Sequence, residues 1–91
     1  MPPVIQHDRN AHRFSTQVDG VHCELDYTLA GGVMTITHTE VPPAVGGRGI
    51  AAALVQEAFA TARSEGWRVM PACSYSVVWL ERHPEYQDLR A

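Results

Sequence analysis

Hydrophobic and polar positions alternate from Ala11 onward with a period of two, the pattern of strands with one face buried. Asp19-Gly20 interrupts the alternation, and this dipeptide supplies the positive φ angles that a two-residue hairpin turn requires. With Val18 facing Val21, the register places Phe14 opposite Leu25 and His12 opposite Tyr27. A second turn at Gly31-Gly32 pairs Leu29 with Met34, Tyr27 with Ile36 and Leu25 with His38. The result is a three-stranded antiparallel meander whose buried face carries Phe14, Val18, Leu25, Tyr27, Leu29, Met34 and Ile36. The alternation then continues to His38 and Glu40, which puts polar residues at the end of an apolar face.

Pro42 and Pro43 lack the backbone donors that a sheet ladder needs, so regular pairing stops there. The spacing beyond them changes to that of a helix, expected from about Arg48 to Glu65. Its apolar face comprises Ile50, Ala51, Leu54, Val55, Ala58, Phe59 and Ala62, and Gly66 ends it. "WRVMPAC" reads as a further strand and "SYSVVWLERH" as a second helix, with Ser74 as its N-cap and Pro84 as its stop. The order strand, strand, strand, helix, strand, helix predicts a two-layer α+β fold. Its last strand runs parallel to the third across a helical crossover, and both helices pack on the sheet.

A chain of 91 residues has apolar surface for one core, expected over residues 11–91 after a loose lead-in at 1–10. Net charge is −3, and the basic residues are scattered arginines with no lysine, which argues against a nucleic-acid partner. No apolar stretch approaches the roughly 20 residues of a membrane span, and "MPPVIQHDRN" has no signal-peptide pattern, so a cytoplasmic protein is expected, monomeric or weakly dimeric. Cys23 and Cys73 are expected to be reduced thiols, and the five histidines lack zinc-ligand spacing, so no metal is assigned.

Candidate chemistry concentrates in "VPPAVGGRGIAAALVQEAF", residues 41–59. The first N–H groups of a helix have no partners within it, and its dipole adds partial positive charge there. Glycines just before such a helix let a phosphate or pyrophosphate approach the backbone. The alternative is a tight strand-to-helix turn with no ligand. A P-loop is excluded by the absence of lysine, and a dinucleotide fingerprint by the spacing of Gly46, Gly47 and Gly49.

"HTEVPPAVGGRGIAAALV", "ARSEGWRV" and "PACSYSVVWLERHPEY" together resemble the small single-domain branch of the GNAT superfamily of acetyl-CoA-dependent N-acetyltransferases, over about residues 33–88. The superfamily's coenzyme loop, Gln/Arg-x-x-Gly-x-Gly/Ala, falls on Gly46, Gly49 and Ala51. Gly46 departs from the long polar side chain expected first, which implies weakened binding. The resemblance implies a V-shaped opening between the third strand and the strand after the helix. It places coenzyme A contacts on Val41, Gly46, Gly47, Arg48, Gly49, Ile50 and Ala51, with Arg48 adding charge at the rim. Transfer of acetyl to an amine acceptor needs the amine neutral and the departing thiolate protonated. His38 and Glu40 are candidates for accepting the amine proton, against readings as a core-edge histidine and a solvated turn residue. Cys73, ahead of a helix N-terminus, resembles an active-site thiol of this branch, against a reading as a small buried hydrophobe. Tyr75 is a further proton donor or a packing residue. GNAT enzymes place helices between the first two strands, whereas here only Asp19-Gly20 joins them, which implies an open acceptor side suited to a protein tail. A non-catalytic acyl-CoA-binding module is the alternative function.

Overall fold

Asp19 adopts φ 52° and Gly20 φ 76°, and the turn they form fixes the register of everything before the helix. The computed structural model describes residues 4–91. Strand β2 (Arg13–Val18) pairs antiparallel with β3 (Val21–Ala30), with Val18 opposite Val21 and Phe14 opposite Leu25. The Tyr27 N–H donates to the His12 carbonyl at 3.1 Å, extending the same register. Strand β4 (Val33–Glu40) returns along β3 with Leu29 opposite Met34 and Tyr27 opposite Ile36. Each of these pairings agrees with the sequence pattern.

The lead-in is not wholly loose. Gln6–Asp8 form a short strand, β1, antiparallel to β2. Its His7 ring stacks on Phe14 at 4.1 Å and is hydrogen-bonded to the Tyr27 hydroxyl at 2.6 Å. The remainder of the expected 1–10 segment includes residues 1–3, which lie outside the described residues.

Helix α1 (Ile50–Glu65) starts two residues later than its periodicity suggests and ends at Gly66 as expected. It buries Ile50, Leu54, Val55, Ala58, Phe59 and Ala62, a stripe at i, i+4 and i+1 spacing that touches β2, β3, β4 and β5. Strand β5 (Arg68–Pro71) lies parallel to β4 and completes a sheet of order β1-β2-β3-β4-β5. Helix α2 (Ser74–Glu81) follows, then a 3-10 turn over Pro84–Leu89. Among the described residues, one core of sixteen buried hydrophobic residues, from Phe14 to Leu80, fills the space between the helices and one face of the sheet, and mostly polar residues occupy the other face. This is the expected α+β, two-layer architecture. No helix of the described residues is long and apolar enough to cross a membrane.

The "ERHPEY" segment closes one end of this core. Trp79 stacks on Phe59 at 5.0 Å and on His83 at 3.8 Å, and the His83 Nδ1–H donates to the Trp79 carbonyl at 2.7 Å. Tyr86 packs against both Phe59 and Trp79 beneath the Arg63 guanidinium, which also pairs with Asp88 at 2.9 Å. The motif therefore acts here through packing, tying the C-terminal turn to α1.

Candidate functional site

A cavity of about 260 Å³ lies at the start of α1, lined by Val41, Gly46, Gly47, Gly49, Ile50, Ala51 and Tyr75. Six of these are residues that the family resemblance assigns to coenzyme contact. Gly49 is the N-cap of α1 at φ 75°, no side chain caps the helix, and no acidic residue stands in its first turn. The first backbone N–H groups of α1 are thus left to whatever occupies the cavity. Ala51, placed on the core face by periodicity, is only half-buried because it turns to this space.

Arg48 is the exception among the expected contacts. Its guanidinium pairs with Asp19 of the β2–β3 turn at 2.6 Å, and the residue does not line the cavity. The charge expected at the rim is instead held by the hairpin. Tyr75 corrects the packing expectation in the opposite direction. It is 41% exposed and forms one wall of the cavity.

The opening between β4 and β5 is visible in the pairing. Their ladder ends at Ile36 opposite Pro71, whereas β4 remains paired with β3 as far as Glu40. The N–H groups of Ala72 and Cys73 both donate to the Ile36 carbonyl, at 3.0 and 3.1 Å, where the chain turns away into α2. Beyond Ile36, β4 is bordered by β3 alone.

Cys73 stands at this divergence as the N-cap of α2, in place of the expected Ser74. Its backbone is extended (φ −94°, ψ 147°), and the Ser76 N–H donates to Sγ at 3.4 Å. Ser74 is already the first helical residue, so its hydroxyl is one position too late to cap. The Ser76 hydroxyl donates to the Cys73 carbonyl at 2.8 Å and lies 3.1 Å from Sγ, and the Thr39 Oγ1 is 3.6 Å from Sγ. Burial pushes the Cys73 thiol up. Hydrogen bonds with the Ser76 and Thr39 side chains and from the backbone N–H groups of Ser76 and Tyr75 outweigh it and bring the thiol below its ordinary value. Cys23 shows the contrast: fully buried on β3, its thiol is pushed up by burial.

The expected pairing of Leu25 with His38 does not occur. The β3–β4 register shifts at Asp26/Tyr27, so that Asp26 faces His38, Leu25 faces Thr39 and Glu24 faces Glu40. Thr37 is the extra residue of this bulge, and its hydroxyl donates to the Asp26 carbonyl at 3.2 Å. One inserted residue exchanges the faces of all that follows. His38 and Glu40 come to the open face of the sheet, with side chains 57% and 60% exposed and 3.8 Å between Nε2 and Oε1. Thr39 takes the core-side position beside Cys73. The structure thus brings Cys73 to one side of the opening and His38 with Glu40 to the other.

Thr39 and Ser76 are the site residues that sequence reasoning did not single out. The Cys73-x-x-Ser76 spacing is that of an N-cap and its N3 partner, a signal that could have identified Ser76. Nothing local marks the bulge that delivers Thr39.

Residues 13–89 match the GCN5-related N-acetyl-transferase family. Protein NATD1 of Mus musculus is 33% identical over 97% of this chain and 83% of its own length, and Protein NATD1 of Homo sapiens is 32% identical over 97% and 80%. A GCN5-like protein from Staphylococcus aureus, solved by NMR, superposes with a TM-score of 0.76 at 24% identity, covering 97% of this chain and 87% of that one, which is a likeness of fold. With the family matched across most of its length, the chain belongs to the GCN5-related N-acetyltransferases.

Proposed function

We propose that this protein binds acetyl-CoA and transfers its acetyl group to an amine acceptor. The observation that carries the reading is the cavity at the uncapped start of α1, lined by Val41, Gly46, Gly47, Gly49, Ile50 and Ala51. Backbone N–H groups at Gly47, Gly49 and the first turn of α1 would hold the pyrophosphate, with glycine allowing close approach. The mostly apolar walls of Val41, Ile50 and Tyr75 suit the pantetheine arm as it runs toward the β4–β5 opening.

Acetyl-CoA supplies the activated acyl group, so no covalent enzyme intermediate is needed. The amine nitrogen bonds to the acyl carbon, the carbon–sulfur bond breaks, one proton leaves the amine and one joins the departing sulfur. Glu40, with His38 beside it on the open face, would accept the amine proton directly or through water. Cys73 lies on the other side of β4. A thiol held below its ordinary pKa gives up its proton readily to a leaving thiolate, and the Tyr75 hydroxyl would be a second proton donor there. With β1 added, the first two strands are β1 and β2, joined by a turn at residues 9–12, and β2 and β3 are joined by Asp19-Gly20; neither connection holds a helix, so the open face has no helical cover from them. That accessibility suits an extended amine-bearing segment such as a protein tail.

The exposure of His38 and Glu40 favours a second reading. Neither side chain is held by packing, as a base normally is, which fits an acyl-CoA-binding module with little turnover. Two measurements separate the cases. Calorimetric titration with CoA tests the site itself, and CoA release from acetyl-CoA over a panel of amines tests transfer. Binding with no amine-dependent release selects the module, and absence of binding at millimolar coenzyme overturns both.

A further inference from the structure

The bulge at Thr37 has a second effect, on the partner it gives Cys73. In an uninterrupted strand Thr39 would share the open face with Thr35 and Thr37. The register shift instead sets Thr39 opposite the fully buried Leu25 and brings its Oγ1 to 3.6 Å from Sγ of a residue 34 positions away. Four polar groups surround that sulfur: the Thr39 hydroxyl, the Ser76 hydroxyl and the N–H groups of Tyr75 and Ser76. They are not equivalent. The Ser76 hydroxyl has one proton, and that proton already serves the Cys73 carbonyl at 2.8 Å. The Ser76 N–H is fixed by the capping geometry of α2. The Thr39 hydroxyl is therefore the side-chain donor free to turn toward sulfur.

Position supports the same assignment. Thr39 lies two residues before Val41 and Cys73 two before Tyr75, and Val41 and Tyr75 both line the cavity at the start of α1. The hydroxyl and the sulfur thus meet beside the cavity, past the last β4–β5 pair. Threonine is branched at Cβ, so its χ1 is stiff and its hydroxyl is held in one direction.

We propose that Thr39 is the positioning residue of Cys73, its hydroxyl donating to Sγ and holding the sulfur as a reactive thiol facing the β4–β5 opening. The inference concerns the thiol itself and rests on the proposed acetyltransferase reading only for what that thiol would serve.

The test follows Cys73 alkylation by iodoacetamide against pH in the intact protein, with peptide mass mapping to distinguish it from buried Cys23. Thr39→Val keeps the shape and removes the donor, whereas Thr39→Ser keeps the donor. Thr39→Val is expected to shift the alkylation midpoint to higher pH and to slow labelling at neutral pH about fivefold, with Thr39→Ser within roughly twofold of wild type. Thr39→Ala provides the same comparison if the valine variant does not fold, as judged by circular dichroism. Unchanged midpoint and rate in a folded donor-less variant overturn the proposal, as does a serine variant that behaves like valine. No coenzyme enters this assay. Failure of CoA to bind would overturn the acetyltransferase reading alone, and failure of the Thr39 series would overturn this inference alone.

Discussion

Replacing Gly49 by alanine tests the coenzyme loop and the backbone argument together. Gly49 caps α1 at φ 75°, and a Cβ built there meets no atom of the chain within 4 Å, so the cost is conformational rather than steric. An L-residue in the left-handed region loses about 1–2 kcal/mol. Restricting the unfolded chain by exchanging glycine for alanine returns ~0.4–1 kcal/mol. The net loss is about 1 kcal/mol, which lowers the melting temperature of a domain this size by roughly 4–8 °C. Gly46→Ala is the control. Gly46 has φ −67° and ψ 158°, which any residue adopts, and its Cβ would meet the Pro43 carbonyl at 3.4 Å; because Gly46 also lines the cavity, it serves as a control for backbone strain alone. Its melting temperature should stay within a few degrees of wild type. Coenzyme A at a hundredfold excess over its dissociation constant stabilises by about 2.7 kcal/mol, a rise of roughly 10–20 °C. In a thermal-shift titration wild type should show that rise, and Gly49→Ala should need at least about tenfold more coenzyme for the same shift, because the methyl stands where phosphate meets backbone. A Gly49→Ala variant with the wild-type titration curve refutes the phosphate assignment. Equal destabilisation by the two alanines refutes the left-handed strain argument.

Four other outcomes are expected. Iodoacetamide should label Cys73 before Cys23, and CoA should slow that labelling; an unreactive Cys73 in the free protein makes the thiol a packing group. Because the folded Cys73 pKa lies below its ordinary value, its contribution to stability is full above that ordinary value of 9.0 and is lost as pH falls through the folded pKa. Urea midpoints of wild type and Cys73→Ala should therefore diverge as pH rises toward 9. Glu40→Gln and His38→Ala should leave the CoA thermal shift intact and lower amine-dependent CoA release by about 10²-fold or more for whichever side chain accepts the proton; full activity in both removes them from the chemistry. Phe59→Ala empties a fully buried site stacked on Trp79 and should cost about 3–5 kcal/mol, read as a lower urea midpoint and altered tryptophan fluorescence. A loss below about 1 kcal/mol would show that Tyr86 and His83 refill the space.

The sheet as far as Ile36 was legible because its signals are local and reinforce one another. Asp19-Gly20 and Gly31-Gly32 set two turns, and a period of two then leaves one register that buries Phe14, Leu25, Tyr27, Met34 and Ile36 together. The turn at the glycine loop was equally legible, since glycines before an apolar helical stripe permit the positive φ angles found at Gly47 and Gly49. The positions that only tertiary structure decided are those where one residue's displacement has distant consequences. The Thr37 bulge carries no glycine or proline to announce it, yet it sends His38 and Glu40 to the open face and Thr39 to Cys73. Arg48 lies in the loop by sequence, but the hairpin turn presents Asp19 within 2.6 Å and takes its charge. Tyr75 reads as a packing residue until the divergence of β5 into α2 leaves it as a cavity wall. Periodicity reports which face a side chain takes as long as the ladder is regular. Past Ile36 the ladder is bulged on one side and ended on the other, and there long-range pairing determines which groups meet.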